Sequence, residues 1–97
     1  MLRHIVMIKF SERKTVEKNA GEVKAMLTKL VFEIDSLLAM EVGLNINTKA
    51  SAYDLVLTAD FEDEAGLDAY RVHSAHVKVL DYLKTTMEKA RVVDYYI

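Results

Sequence analysis

The stretch Tyr70-Arg71-Val72-His73-Ser74-Ala75-His76 interrupts a helical pattern and decides how the C-terminal half of the chain folds. On its N-terminal side, Asp63 can cap a short helix through Leu67 and Tyr70. On its C-terminal side, His76, Leu80, Leu83 and Met87 recur at helical spacing and mark one face of another helix. The break falls near His73 and Ser74 and owes nothing to proline, which the chain lacks. The same stretch places a phenol and two of the chain's three imidazoles within seven residues. Imidazole is the side chain whose ordinary pKa of about 6.5 suits proton transfer near neutral pH, and a phenol beside it can serve a reacting oxygen.

Working outward, the pattern changes period four more times. Leu2 to Phe10 alternates, with Leu2, His4, Val6, Ile8 and Phe10 on one face, and predicts a first strand. From Thr15 as N-cap, Val16, Ala20, Val23, Leu27 and Leu30 predict a helix to about Phe32 or Glu33. Leu37–Asn47 and the run from Tyr53 to Phe61 alternate again and predict a hairpin across the turn-like Asn47–Ser51. Arg91 to Ile97 predicts the last strand. The order β-α-β-β-α-β is the ferredoxin-like pattern: an α+β fold with a four-stranded antiparallel sheet and its helices on one face.

Ninety-seven residues make one domain, spanning residues 1–97. So short a chain buries only about 60–65 % of its unfolded surface, which favours oligomerisation. Thirteen basic against fifteen acidic residues, without a run of either sign, offer no footprint for nucleic acid. The absence of cysteine removes disulfides, thiolate nucleophiles and Cys-based metal sites together. Met1–Phe10 lacks a signal-peptide layout and no stretch approaches a membrane span, so the expectation is a cytoplasmic protein without a membrane partner.

In the ferredoxin-like topology the first and third strands are antiparallel neighbours. Val6, Ile8 and Phe10 then share the helix-covered face with Leu55, Leu57 and Phe61. The opposite face carries Ile5, Met7, Val56 and Thr58 and predicts a homodimer through that face. Antiparallel pairing brings Lys9 towards Asp54 and Arg3 towards Asp60.

Over nearly its whole length the chain resembles the stress-responsive A/B barrel (Dabb) family. The resemblance rests on His4-x-x-x-x-Lys9-Phe10, on Asp54-Leu55-Val56-Leu57 with Phe61, on Tyr70-x-x-His73-x-x-His76-Val77, and on Val93-Asp94-Tyr95. It implies two ferredoxin-like protomers packed sheet to sheet into a dimeric α/β barrel. Some members, notably plant polyketide cyclases, use a Tyr and a His at the positions matching Tyr70 and His76 as an acid/base pair in ring closure. This chain departs from the cyclases at Leu55, where they have a third pocket histidine, and from the common family pattern at Ser74, often a proline.

Tyr70 and His76 are therefore the candidate catalytic residues. His76 shares its stripe with core residues and His4 shares a strand face with Val6 and Ile8, so both rings point towards one interior pocket. The candidate ligand-binding residues are His4, Val6, Ile8, Leu55, Leu57 and Leu80. His73 reads as a capping residue at the break. Zinc needs three or four ligands, and beyond the three histidines the pocket face offers no evident carboxylate, so no metal and no cofactor are expected. One reading is a small-molecule enzyme or binding protein with a hydrophobic, oxygen-bearing ligand. The others are a non-catalytic, stress-associated dimer with a filled interior and a cofactor-free monooxygenase, chemistry known in other dimeric α/β-barrel families.

Overall fold

A computed structural model describes residues 1–97. The elements are β1 (Leu2–Phe10), a single 3-10 turn (Arg13–Thr15), α1 (Val16–Glu33), β2 (Ala39–Leu44), β3 (Leu55–Phe61), α2 (Glu64–Val72), α3 (Ser74–Thr86) and β4 (Met87–Tyr96). The strands form one antiparallel sheet in the order β2-β3-β1-β4. This is the ferredoxin-like arrangement, with the second helical region split in two.

Strict alternation in β1 puts Leu2, Ile8 and Phe10 into the core and pairs Val6 with Leu57 and Ile8 with Leu55. Val23, Leu27 and Leu30 of α1, Leu67 and Tyr70 of α2, and Val79 and Leu83 of α3 close over them from one side. Each such side chain, fully buried, stabilises the fold by about 1.5–3 kcal/mol, so the helical stripes and the sheet's inner face fold as one unit. In β2, Gly43 lies against Val56, and an added Cβ would come within 3.2 Å of that side chain.

Several boundaries differ from the sequence expectation. β2 starts at Ala39 and stops at Leu44, because β3 begins only at Leu55 and Leu44 is its partner. Asn45 and Asn47 instead turn the chain, their side-chain oxygens accepting from the N–H groups of Asn47 and Lys49 at 2.8 and 2.9 Å. Ile46, read as a strand residue, is fully exposed. At the other end, α3 finishes at Thr86 and Met87 is already extended, so β4 begins four residues early. Thr85 and Thr86 turn their hydroxyls back onto the Tyr82 carbonyl there. Thr15 precedes α1 without a side-chain cap; its hydroxyl oxygen accepts from Asn19 instead.

Of the two cross-strand ion pairs expected, one forms. Arg3 holds Asp60 in a two-point contact at 2.9 and 3.0 Å. Asp54 is taken by Arg13, again at two points of 2.8 Å, and also accepts the Phe10 N–H. Lys9 donates instead to the carbonyls of Ala50 and Ala52 at 2.7 and 3.0 Å. The reason is geometric: the guanidinium approaches Asp54 from the turn after β1, while the ammonium reaches past it into the β2–β3 loop. The sheet face away from the helices leaves Met7, Val56, Val93 and Tyr95 each about 40–60 % exposed. No helix is long and apolar enough to cross a membrane.

Candidate functional site

The site is assembled by the break between α2 and α3. Asp63 caps α2, its carboxylate accepting from the Gly66 N–H at 3.0 Å. His73 is extended (φ −65°, ψ 136°) and ends that helix; its Nδ1 accepts from the Ala75 N–H at 3.0 Å and thereby caps α3. His73 is thus committed to the helix boundary. Tyr70, on the last turn of α2, is 1 % exposed. Its ring packs edge-on against Phe61 at 5.1 Å and lies over the His76 ring at 4.1 Å, tilted by 35°.

His4 enters from β1, edge-on to Tyr70 at 6.4 Å. The β1–β4 register sets it opposite Asp94, and its Nδ1–H donates to that carboxylate at 2.5 Å. Arg71 reaches the other Asp94 oxygen at 3.5 Å. His76 Nδ1–H donates to the Arg71 carbonyl at 3.2 Å. In a neutral imidazole a proton on Nδ1 leaves the Nε2 lone pair available, and neither Nε2 makes a hydrogen bond within the chain. Nor does the Tyr70 hydroxyl, although the only fully buried side-chain polar atom without a partner is Ser36 Oγ.

These groups share a cavity of about 390 Å³ between α3 and the β1–β4 side of the sheet. Its wall includes His4, Val6, Ile8, Leu57, Tyr70, His76 and Leu80, with Arg71 at one side and Met87, Ala90 and Val92 from β4. Leu55 is not on this wall. It sits two residues before Leu57 on β3, between Ile8 and Leu44, where the core buries it. Burial pushes the Tyr70 phenol well above its ordinary range, so it is a hydrogen-bond donor at neutral pH. Burial likewise pushes His76 down; the bond to the Arg71 carbonyl opposes this, and the neighbouring His4 and Arg71 charges add to it. The His76 ring is therefore neutral at pH 7. The arrangement offers one donor and two acceptors inside an apolar wall, the inventory that proton transfer on a small molecule requires.

Asp94 and Arg71 are the residues that sequence reasoning missed. A carboxylate does stand behind the pocket, contrary to the expectation that none would. Its parity with Val92 and Ala90 was readable; its register against His4 was not. No three His, Cys, Asp or Glu side chains converge as metal ligands.

The family model described as the stress responsive A/B barrel domain, Dabb, matches residues 2–97. The chain belongs to the Dabb family. Among solved structures, this Dabb chain is similar to a protein of ferredoxin-like fold from Bacteroides fragilis, described as dimeric: TM-score 0.90 and 25 % identity over 99 % of this chain and 95 % of that one. A dimeric ferredoxin-like protein from Thermobifida fusca matches with TM-score 0.85 and 25 % identity over 99 % and 90 %. A hydroxynitrile lyase from Passiflora edulis, at 16 % identity and TM-score 0.83 over 99 % and 92 %, shares the fold. No curated protein matches the Dabb chain in sequence.

Proposed function

We propose that this single Dabb domain binds a small, hydrophobic, oxygen-bearing molecule in the cavity beside α3 and can act on it by acid/base chemistry. The observation that carries this reading is the set of three unpaired polar atoms, the Tyr70 hydroxyl and the two imidazole Nε2 atoms, on an otherwise apolar wall. None of the three is among the fully buried atoms, so the cavity reaches each of them and a polar group on a ligand can pair with it. In the reaction, a neutral imidazole takes a proton from an acidic C–H or O–H, and the Tyr70 O–H donates to the oxygen on which negative charge develops. Val6, Ile8, Leu57 and Leu80 hold the apolar part of the ligand.

The domain works as a homodimer through its open sheet face. Ile5, Met7, Val56, Val93 and Tyr95 give that face an apolar centre, and the Bacteroides and Thermobifida proteins described as dimeric support the same assembly.

The test is a thermal-shift screen against alkylphenols, β-keto acids and fatty acids, followed by ligand-observed NMR. A ligand at about 100 times its Kd stabilises by about 2.7 kcal/mol, a rise in Tm on the order of 10 °C for a domain of this size. His76→Ala should abolish that shift and leave the fold intact. If no class binds and His76→Ala merely lowers the Tm, the protein is the non-catalytic dimer instead.

A further inference from the structure

We propose that Arg71 is the positioning residue of this site, fixing the proton of both imidazoles on Nδ1 so that both Nε2 atoms serve the cavity. The proposal rests on the ligand-site reading for its purpose, but not for its test.

Two contacts from one residue carry it. The Arg71 carbonyl accepts from His76 Nδ1 at 3.2 Å, and its guanidinium holds the Asp94 carboxylate whose other oxygen takes the His4 Nδ1–H. Which ring nitrogen of a histidine is protonated is set by the partner of the other. Asp94 is open to water on one side. It lies near the end of β4, an edge strand, with its side chain 31 % exposed, where water competes for the carboxylate. Arg71 bridges that gap from the last turn of α2. Its other Nη is held by Asp68, one turn back on the same helix, at 3.2 Å. The chain Asp68–Arg71–Asp94–His4 therefore ties the helix break to the sheet edge. His4 and His76 come from opposite layers of the fold, and Arg71 is the residue bonded to the hydrogen-bond system of both. A side chain at position 71 that lacked a donor would still supply the carbonyl to His76. It would release Asp94.

This separates the roles of the two contacts and gives an internal control. The experiment is nitrogen-detected NMR of the imidazole rings of the ligand-free full chain, for wild type, R71A, R71K and D94N. At a pH high enough for both rings to be neutral, both histidines of the wild type should show a protonated Nδ1 and an unprotonated Nε2. In R71A, His76 should keep that signature, reporting an intact break, while His4 becomes a mixture of the two tautomers. R71K restores a cation to Asp94 and should return His4 most of the way. D94N should reproduce the R71A mixture. An unchanged His4 signature in R71A or in D94N overturns the proposal, as does a wild-type His76 protonated on Nε2. Failure of the wild type to bind any ligand would remove the ligand reading alone, since the tautomers are measured without one.

Discussion

Removing the Tyr70 hydroxyl distinguishes a ligand-facing phenol from a structural one. In Tyr70→Phe the ring keeps its edge contact with Phe61 at 5.1 Å and its place over His76 at 4.1 Å, so the aromatic packing is retained. What is lost is an O–H with no partner in the chain. A hydroxyl hydrogen-bonded in the core contributes about 0.5–1.5 kcal/mol, and for a domain of this size 1 kcal/mol moves Tm by about 4–8 °C. Here the expected change in stability is within about 0.5 kcal/mol of zero, because no bond is broken. Tyr70→Ala, which also deletes the ring, should cost about 3–5 kcal/mol. Urea unfolding at one fixed protomer concentration measures both, by the shift in midpoint at constant slope. Ligand affinity should fall about tenfold in Tyr70→Phe, the equivalent of about 1.4 kcal/mol. A loss of 1 kcal/mol or more in stability would show that the hydroxyl is satisfied inside the fold, and the site reading would fail with it.

Three further outcomes follow from contacts elsewhere. Lys9→Met removes a charged donor to two loop carbonyls, Ala50 and Ala52. It should cost about 1.5–3 kcal/mol, and limited proteolysis should then cut the β2–β3 loop first; an uncut loop would refute the clamp. The guanidinium groups of Arg13 and Arg3 hold the Asp54 and Asp60 carboxyls below their ordinary range. A folded pKa below the unfolded one gives stabilisation that is present above about pH 4 and lost as pH falls through the folded value. Calorimetric Tm should therefore drop below about pH 4, and less steeply in Arg3→Ala/Arg13→Ala; an equally steep drop would count against these pairs. Val93→Asp places a charge on the open sheet face, where burial of an unpaired carboxylate costs several kcal/mol. Sedimentation should show the dimer replaced by monomer, and an undisturbed dimer would move the interface elsewhere.

How much could be read beforehand depended on whether a feature is local. β1 alternates from Leu2 to Phe10, with Leu2, Val6, Ile8 and Phe10 on one face, and the structure has the strand at those residues. The α1 stripe and the break at His73 were equally legible, because caps and periodicity act over a few residues. β2 misled because alternation continues through Ile46 while its partner strand does not; pairing, not pattern, ends a strand. Met87 fits the α3 stripe and breaks the parity of Ala90, Val92 and Asp94; a register shift at Lys9/Phe10 pairs it with Phe10 and makes it part of β4. Asp94 needed the register of two strands ninety residues apart, which no local pattern carries. The contact of the Arg71 side chain with Asp94 depends on that same register.

The interruption at His73 has a cost that a stability engineer would meet first. In an unbroken α-helix, residues six apart are separated by about 120° around the axis, so Tyr70 and His76 would lie on different faces. They meet only because the chain leaves helical geometry between them. Substitutions that raise helix propensity across Val72–Ala75, an ordinary way to harden a small protein, would tend to fuse the two segments. The product would be a tougher domain whose phenol and imidazole no longer share a wall. Thermal robustness and the ability to handle a ligand are therefore set against each other at three or four adjacent residues.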